Sequence, residues 1–137
     1  MQTSKTETIP VRTSAEVVSV RHLVRRRAVE LNFTIVEQTK IVTAASELAR
    51  NMIDYGGGGE LRVESLDDGT RKGLRLTFED HGPGIPDINA ALRDGFTSGS
   101  GMGLGLGGSK RLSNEFELHS VVGQGTRVTI TRWKGAA

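Results

Sequence analysis

The sequence predicts an α+β fold, a two-layer α/β sandwich with a mixed, mostly antiparallel sheet and helices on one face. Helix patterns are gathered before and between pairs of strand patterns, and strands joined by tight turns pair antiparallel. The chain of 137 residues is long enough for one hydrophobic core and leaves little room for a second. We therefore expect residues 1–137 to form a single domain, in which residues 1–10 are partly a polar tail.

The chain begins with a short strand pattern and a helix pattern. Residues 6–11 are the strand candidate, and Thr13 with Glu16 has the spacing of a capping box that opens a helix over 14–31. Apolar residues recur at steps of three and four along one side of this helix, which predicts its buried face. On the remaining surface we expect either a solvated face or a contact for an acidic partner, formed by Arg21, Arg25, Arg26 and Arg27.

A longer helix follows. Thr34 and Glu37 form a second capping box, and the helix is expected to end near Tyr55, where a run of four glycines begins. Its core stripe consists of Ile41, Ala45, Leu48 and Met52. A polar strip runs beside that stripe, at spacings that place its members on one edge of the helix: Glu47, Arg50, Asn51 and Asp54.

The second half of the chain predicts two hairpins with a short helix between them. Alternating apolar and polar residues mark strands, and glycine-containing turns join them. The predicted strands cover residues 61–66, 74–79, 116–122 and 127–133, and the short helix covers about 109–114.

The composition of the chain excludes several classes of protein and of functional site. The net charge is +2, from 18 basic and 16 acidic residues, and no stretch approaches the roughly 18 to 20 apolar residues of a membrane span. We therefore expect no nucleic acid or membrane partner, and a cytoplasmic location. The chain has no cysteine, which excludes disulfides, thiolate metal sites and a cysteine nucleophile.

A glycine-dense segment at residues 101–108 is typical of phosphate binding. It satisfies G-x-G-x-x-G, but no strand precedes it and too little chain follows for a dinucleotide-binding unit. A Walker A loop needs lysine before serine, whereas this chain has Ser109 before Lys110. What remains is a run of unhindered backbone N–H groups leading into a helix, with Lys110 as a nearby cation.

Two further motifs supply polar side chains. Asp80 ends a strand, and Gly82 and Gly84 after it allow a tight turn, so its carboxylate can accept from an amine. Glu47 and Asn51 lie one helical turn apart, where Asn51 can offer a neutral oxygen to Mg²⁺ and Glu47 can take a proton from a hydroxyl. Taken singly, each motif is as well explained by an ordinary turn or a solvated helix surface. Together they predict a site for ATP with Mg²⁺.

In order and spacing, these motifs resemble the Bergerat-fold (GHKL) ATPases. The resemblance extends from about Val11 to Trp133. Its segments are Glu47–Asn51, Asp80–Ile85, Gly103–Leu106, Lys110–Phe116 and Gly123–Thr126. It implies that Asp80 receives the adenine amino group, that residues 87–103 form a mobile lid, that Glu47 is the catalytic base and that Asn51 holds the metal. The implied ATP-binding residues are Asn51, Asp80, Gly82, Gly84, Ile85, Gly101, Gly103, Leu104, Gly105, Leu106, Gly107, Lys110 and Thr126.

Stand-alone members of this group resemble the serine/threonine kinases of bacterial partner-switching pathways, such as the stressosome. The resemblance implies transfer of the γ-phosphoryl group of ATP to a STAS-domain antagonist or scaffold protein, followed by activation of a PP2C-type phosphatase. Two alternatives remain open: an anti-sigma factor kinase that also binds a sigma factor, and a non-catalytic ATP-binding module. His22 does not resemble a phosphoacceptor histidine, because no acidic or amide residue follows it.

Overall fold

A computed structural model describes residues 2–92 and 106–136. In chain order its elements are β1 (Gln2–Val11), α1 (Ser14–Glu30), α2 (Ile35–Gly56), β2 (Gly59–Asp67), β3 (Lys72–Asp80), α3 (Ile88–Ala91), α4 (Leu106–Arg111), β4 (Glu115–Val121) and β5 (Gly125–Trp133). The five strands form one sheet in the order β1-β2-β3-β5-β4, and its pairings are antiparallel. The predicted α+β class is confirmed.

Four strands are longer than predicted, namely β1, β2, β3 and β5, and the short helix is displaced to earlier residues. Residues 2–5, expected to belong to a polar tail, lengthen β1 and pair with the end of β2. The short helix α4 begins at Leu106 rather than near residue 109, because Leu106 is buried in the core and anchors the first turn.

The core lies between the sheet and the two long helices. Alternate residues of the central strands point toward the helices and are buried, as predicted for Leu74, Leu76 and Phe78. From the helix side, the predicted stripe of α2 is buried in full. The main contributors are Val17, Val20, Val24, Ala28, Ile41, Ala45, Leu48, Met52, Leu61, Val63, Val128 and Ile130.

Both predicted capping boxes are present. Thr13 accepts from the backbone N–H of Glu16, and Thr34 accepts from that of Glu37, while each glutamate returns a bond to its cap residue. The C-cap residue that follows α2 is Gly57, which has φ 76°, a left-handed conformation that glycine adopts readily. Local sequence therefore sets both ends of the helix that carries Glu47 and Asn51.

The prediction that Arg27 lies on a solvated surface was wrong. Its side chain is fully buried, and its Nη1 donates to Glu7 Oε1 at 2.8 Å. Its Nη2 donates to the carbonyl of Lys5 at 2.6 Å, and Nε and Nη2 both reach Ser65 Oγ. The small Ser65 side chain on the helix-facing side of β2 leaves room for the guanidinium, which thus ties α1 to β1 and β2.

The sheet face away from the helices carries an ion-pair network. Arg75 donates two hydrogen bonds to the carboxylate of Glu64, from Nε to Oε1 and from Nη2 to Oε2, both at 3.1 Å. Arg62 Nε donates to the same carboxylate at 3.4 Å. The hydrogen bond from Arg75 is the main reason that the pKa of Glu64 lies below its ordinary value, and it outweighs the opposing effect of burial.

We expect Arg27→Ala to lower the free energy of unfolding by about 3 kcal/mol, because it leaves Ser65, Glu7 and a backbone carbonyl without their shared donor. Urea denaturation measures this change. Arg26→Ala is the matched control: Arg26 is adjacent, is largely exposed and meets Glu7 at 3.7 Å, so its loss should cost less than about 0.5 kcal/mol. Equal effects of the two variants would contradict the role given to Arg27.

The network at Glu64 predicts a pH dependence of stability. Because the folded-state pKa is depressed, the carboxylate stabilises the fold above the unfolded-state pKa, and this contribution is lost as the pH falls. Glu64→Gln should therefore be less stable than wild type by about 1 to 2 kcal/mol near pH 7, and the difference should become smaller near pH 3.

Urea denaturation at the two pH values tests this expectation. Glu60→Gln is the control, since Glu60 lies exposed on the same strand. A difference between Glu64→Gln and wild type that is unchanged at low pH would contradict the assignment.

Candidate nucleotide site

A hollow lies where the C-terminal half of α2 meets the end of β3, the start of α4 and the start of β5. It encloses roughly 490 Å³, including the part that opens to solvent. Its lining is Leu48, Asn51, Met52, Tyr55, Gly56, Phe78, Asp80, Pro83, Gly84, Ile85, Leu106, Thr126 and Val128. Most of this surface is apolar, and a few polar side chains are set into it.

Asp80 is the buried carboxylate of the hollow. It ends β3 and is 9% exposed, and its Oδ1 accepts from the backbone N–H of Gly82 at 2.9 Å. A Cβ atom at Gly56 would lie less than 3.0 Å from each atom of the Asp80 carboxyl group. The end of α2 therefore presses directly on this carboxylate, and Oδ2 keeps its capacity to accept from a ligand.

The loop after Asp80 is braced by the turn between β4 and β5. The backbone N–H of Ile85 donates to Ser120 Oγ at 2.8 Å, and that of Gly123 donates to the carbonyl of Pro83 at 2.8 Å. The Ser120 hydroxyl also lies 2.8 Å from Thr126 Oγ1, at the floor of the hollow. These bonds fix the positions of Asp80, Ile85 and Thr126 relative to one another.

Asn51 lines the hollow from α2, and its Nδ2 is buried without a hydrogen-bond partner among the described residues. A carboxamide offers both a donor and an acceptor, which exchange places on a half-turn of the side chain. The side chain thus suits a ligand or a metal ion as its missing partner. Glu47 is one turn earlier on the same face, is exposed and does not line the hollow.

Several other predicted ATP-binding residues do not line the hollow, or lie outside the described residues. Gly82 lies behind Asp80 rather than in the hollow, since a Cβ there would meet the backbone of Gly56. On α4, Leu106 lines the hollow, Gly107 is buried and Lys110 is exposed. Four residues fall outside the described residues: Gly101, Gly103, Leu104 and Gly105. The predicted lid over 87–103 is described only as far as Leu92 and includes α3.

Sequence reasoning missed several residues of the site. Leu48 and Met52 were assigned only to the core, and Gly56 only to the end of a helix, although all three line the hollow. A signal was present, because positions 48, 51, 52, 55 and 56 share one face of a helix. Ser120 gave no comparable signal, since its partners are distant in sequence.

Among the described residues, the site offers few side chains that could bind a metal ion. Among residues 2–92 and 106–136, no group of three His, Cys, Asp or Glu side chains could hold a metal ion. Mg²⁺ bound mainly through phosphate oxygens needs only one or two protein ligands, and the carboxamide oxygen of Asn51 is of the kind that fits that role. No helix in the described part of the chain is long and apolar enough to cross a membrane.

The chain is similar to known proteins over most of its length. It is 46% identical to the serine/threonine-protein kinase RsbT of Bacillus subtilis (strain 168) over 125 residues, 91% of this chain and 94% of that protein. It is 31% identical to the anti-sigma F factor of Thermoanaerobacter sp. (strain X514), over 85% of this chain and 84% of that protein.

Solved structures share the fold. The crystal structure of the RsbU and RsbW domains of a Mycobacterium tuberculosis protein matches 98% of this chain and 34% of its own, with a TM-score of 0.67 and 20% identity. The catalytic domain of the histidine kinase ThkA matches with a TM-score of 0.55 and 17% identity, over 93% of this chain and 96% of its own. Residues 36–135 match the family model, and the chain thus belongs to the histidine kinase-, DNA gyrase B- and HSP90-like ATPases.

Proposed function

We propose that this chain is an ATP-dependent serine/threonine protein kinase that phosphorylates a STAS-domain antagonist or scaffold protein in a bacterial partner-switching pathway. The observation that carries the proposal is the hollow that brings Asn51, Asp80 and Thr126 together, in a chain 46% identical to a serine/threonine kinase. Family membership supplies ATP as the nucleotide.

The base of ATP would occupy the apolar part of the hollow. The 6-amino group of adenine is a donor, and Asp80 offers an acceptor oxygen that no described residue uses. The Thr126 hydroxyl lies at the same end of the lining, because residues 80 and 126 are directly paired in the sheet. A buried carboxylate with a fixed position discriminates well against bases that lack this donor.

The phosphates would extend from the hollow toward Asn51 and the glycine-dense segment. Asn51 would hold Mg²⁺, and Lys110 would add positive charge near the phosphates. When bound, Mg²⁺ neutralises charge on the phosphate oxygens and helps to align the γ-phosphoryl group. The exposed position of Glu47, one turn from Asn51, leaves room for a protein substrate on the open side.

In the transfer step, the hydroxyl oxygen of a serine or threonine forms a bond to the γ-phosphorus while the bond from that phosphorus to the β–γ bridging oxygen breaks. Glu47 takes the hydroxyl proton, and ADP leaves. Positioning accounts for most of the acceleration in such reactions. The fixed end of α2 is what would place Asn51 and Glu47 for this step.

We propose two further roles for the same chain. Release from the phosphorylated partner would free the kinase to activate a PP2C-type phosphatase. The 31% identity to an anti-sigma F factor supports the alternative that the chain also binds a sigma factor. A pull-down with purified candidate phosphatase and sigma factor separates these roles, since the ATP site is the same in both.

We expect Glu47→Gln to lower the rate of STAS-protein phosphorylation by about 100-fold or more, because it removes the general base. The affinity for ATP should stay within about twofold, since Glu47 lies outside the hollow. Transfer from γ-labelled ATP measures the rate, and calorimetry measures the affinity.

Asp54→Asn is the matched control for this experiment. It removes an exposed carboxylate from the same helix and should leave both values unchanged. A Glu47→Gln protein that phosphorylates as fast as wild type would contradict the assigned role. Wild-type protein that binds ATP but labels no STAS protein would favour the alternatives of a sigma-binding protein or a non-catalytic module.

We expect Gly56→Ala to weaken ATP binding by about tenfold or more, because its methyl group would displace the Asp80 carboxylate. Gly57→Asn is the matched control. Asparagine tolerates the left-handed conformation at residue 57, and nothing lies within 4 Å of a Cβ there. Calorimetric titration with ATP measures both variants, and equal affinities would contradict the importance of the close packing at Gly56.

A further inference from the structure

Ser120 lies outside the lining of the hollow, yet it contacts two parts of it. Its hydroxyl accepts from the backbone N–H of Ile85 at 2.8 Å and lies 2.8 Å from Thr126 Oγ1. It also donates to the carbonyl of Gly125 at 3.2 Å. One side chain on β4 thus joins the loop after Asp80 to the first residues of β5.

We propose that Ser120 is a positioning residue for the nucleotide base, acting through the loop after Asp80 and through the hydroxyl of Thr126. The inference rests on the proposed ATP site. It extends that site to a residue that does not itself touch the ligand.

Ser120 holds the loop after Asp80 in place. The N–H of Ile85 has Ser120 as its hydrogen-bond acceptor, and loss of that acceptor would leave a part-buried donor unpaired. The same loop is in close contact with the turn after β4, since a Cβ at Gly84 would meet the backbone of Val121. Ser120 supplies one of the bonds that hold the two segments at this spacing, alongside the bond from Gly123 to Pro83.

The hydroxyl proton of Ser120 decides which way the hydroxyl of Thr126 can donate. A hydroxyl has one proton and two lone pairs, so the proton of Ser120 can go either to the Gly125 carbonyl or to Thr126. When it goes to Thr126, the proton of Thr126 is free for an acceptor in the hollow. Adenine presents an acceptor, N1, beside its 6-amino donor, which matches a donor at Thr126 next to an acceptor at Asp80.

The place of Ser120 in the fold favours a role in positioning the base over a role in stabilising the fold. Ser120 is a small, part-buried polar residue on β4, which is an edge strand of the sheet. It is not part of the hydrophobic core. Its removal should therefore change the geometry of base recognition more than the stability of the fold.

The test is a comparison of ATP with purine riboside 5′-triphosphate, which lacks the 6-amino group, by calorimetric titration in the presence of Mg²⁺. For Ser120→Ala we expect the Kd for ATP to rise by about tenfold and the Kd for the purine analogue by only about threefold, because the analogue keeps N1 for Thr126 but has no amino group for Asp80. The preference for the amino group should therefore fall. Partial unfolding would raise both apparent Kd values by the same factor, so the ratio of the two Kd values still reports on recognition of the amino group.

Ser113→Ala is the control. This substitution likewise removes a hydroxyl that donates to a backbone carbonyl, that of Ser109 at 2.8 Å. Ser113 lies away from the hollow, so both Kd values should stay at wild-type levels. Equal weakening of both nucleotides in Ser120→Ala, or unchanged ATP affinity, would overturn this inference while leaving the ATP site in place. A wild-type protein that binds neither nucleotide would overturn the proposed function as well.

Discussion

The contact between the end of α2 and the end of β3 is the constraint on which the site depends. Gly56 leaves no room between the helix backbone and the carboxyl group of Asp80, and Gly82 packs on Gly56 from the other side. Two glycines thus bring a helix end and a strand end closer than any side chain would allow. Because Asn51 and Asp80 lie on these two elements, their separation is set by backbone packing rather than by flexible side chains.

The other end of α2 is fixed by the last residues of the described chain. The Glu37 carboxylate accepts from the backbone N–H groups of Thr34 and Gly135, at 2.8 and 2.6 Å. Burial raises the pKa of Glu37, but these two donors and the nearby Arg132 outweigh it, so the pKa lies below its ordinary value. The helix is held at both ends, which favours a fixed position for the residues it presents to the hollow.

The fold class followed from local patterns, whereas the site followed only in part. Capping residues such as Thr34 act within one turn, so sequence alone predicts them. The burial of Arg27 depends on Ser65, 38 residues away, and the position of Ser120 depends on Ile85, 35 residues away. No local pattern reports such contacts. Asp80 was identifiable because glycines mark its turn, but its contact with Gly56 required the packing of the helix on the sheet.

Some buried polar groups of this molecule are fully hydrogen-bonded, and others have no partner among the described residues. Every nitrogen of the Arg27 guanidinium has a partner, as expected where a buried charge stabilises a junction between elements. Asn51, by contrast, has a buried nitrogen without a partner among the described residues, at a cost of about 1 to 3 kcal/mol. Two other buried groups, on Ser109 and Arg132, share this condition away from the lining. A ligand that satisfies Asn51 would recover its cost, so the unpaired amide favours the bound state of the hollow.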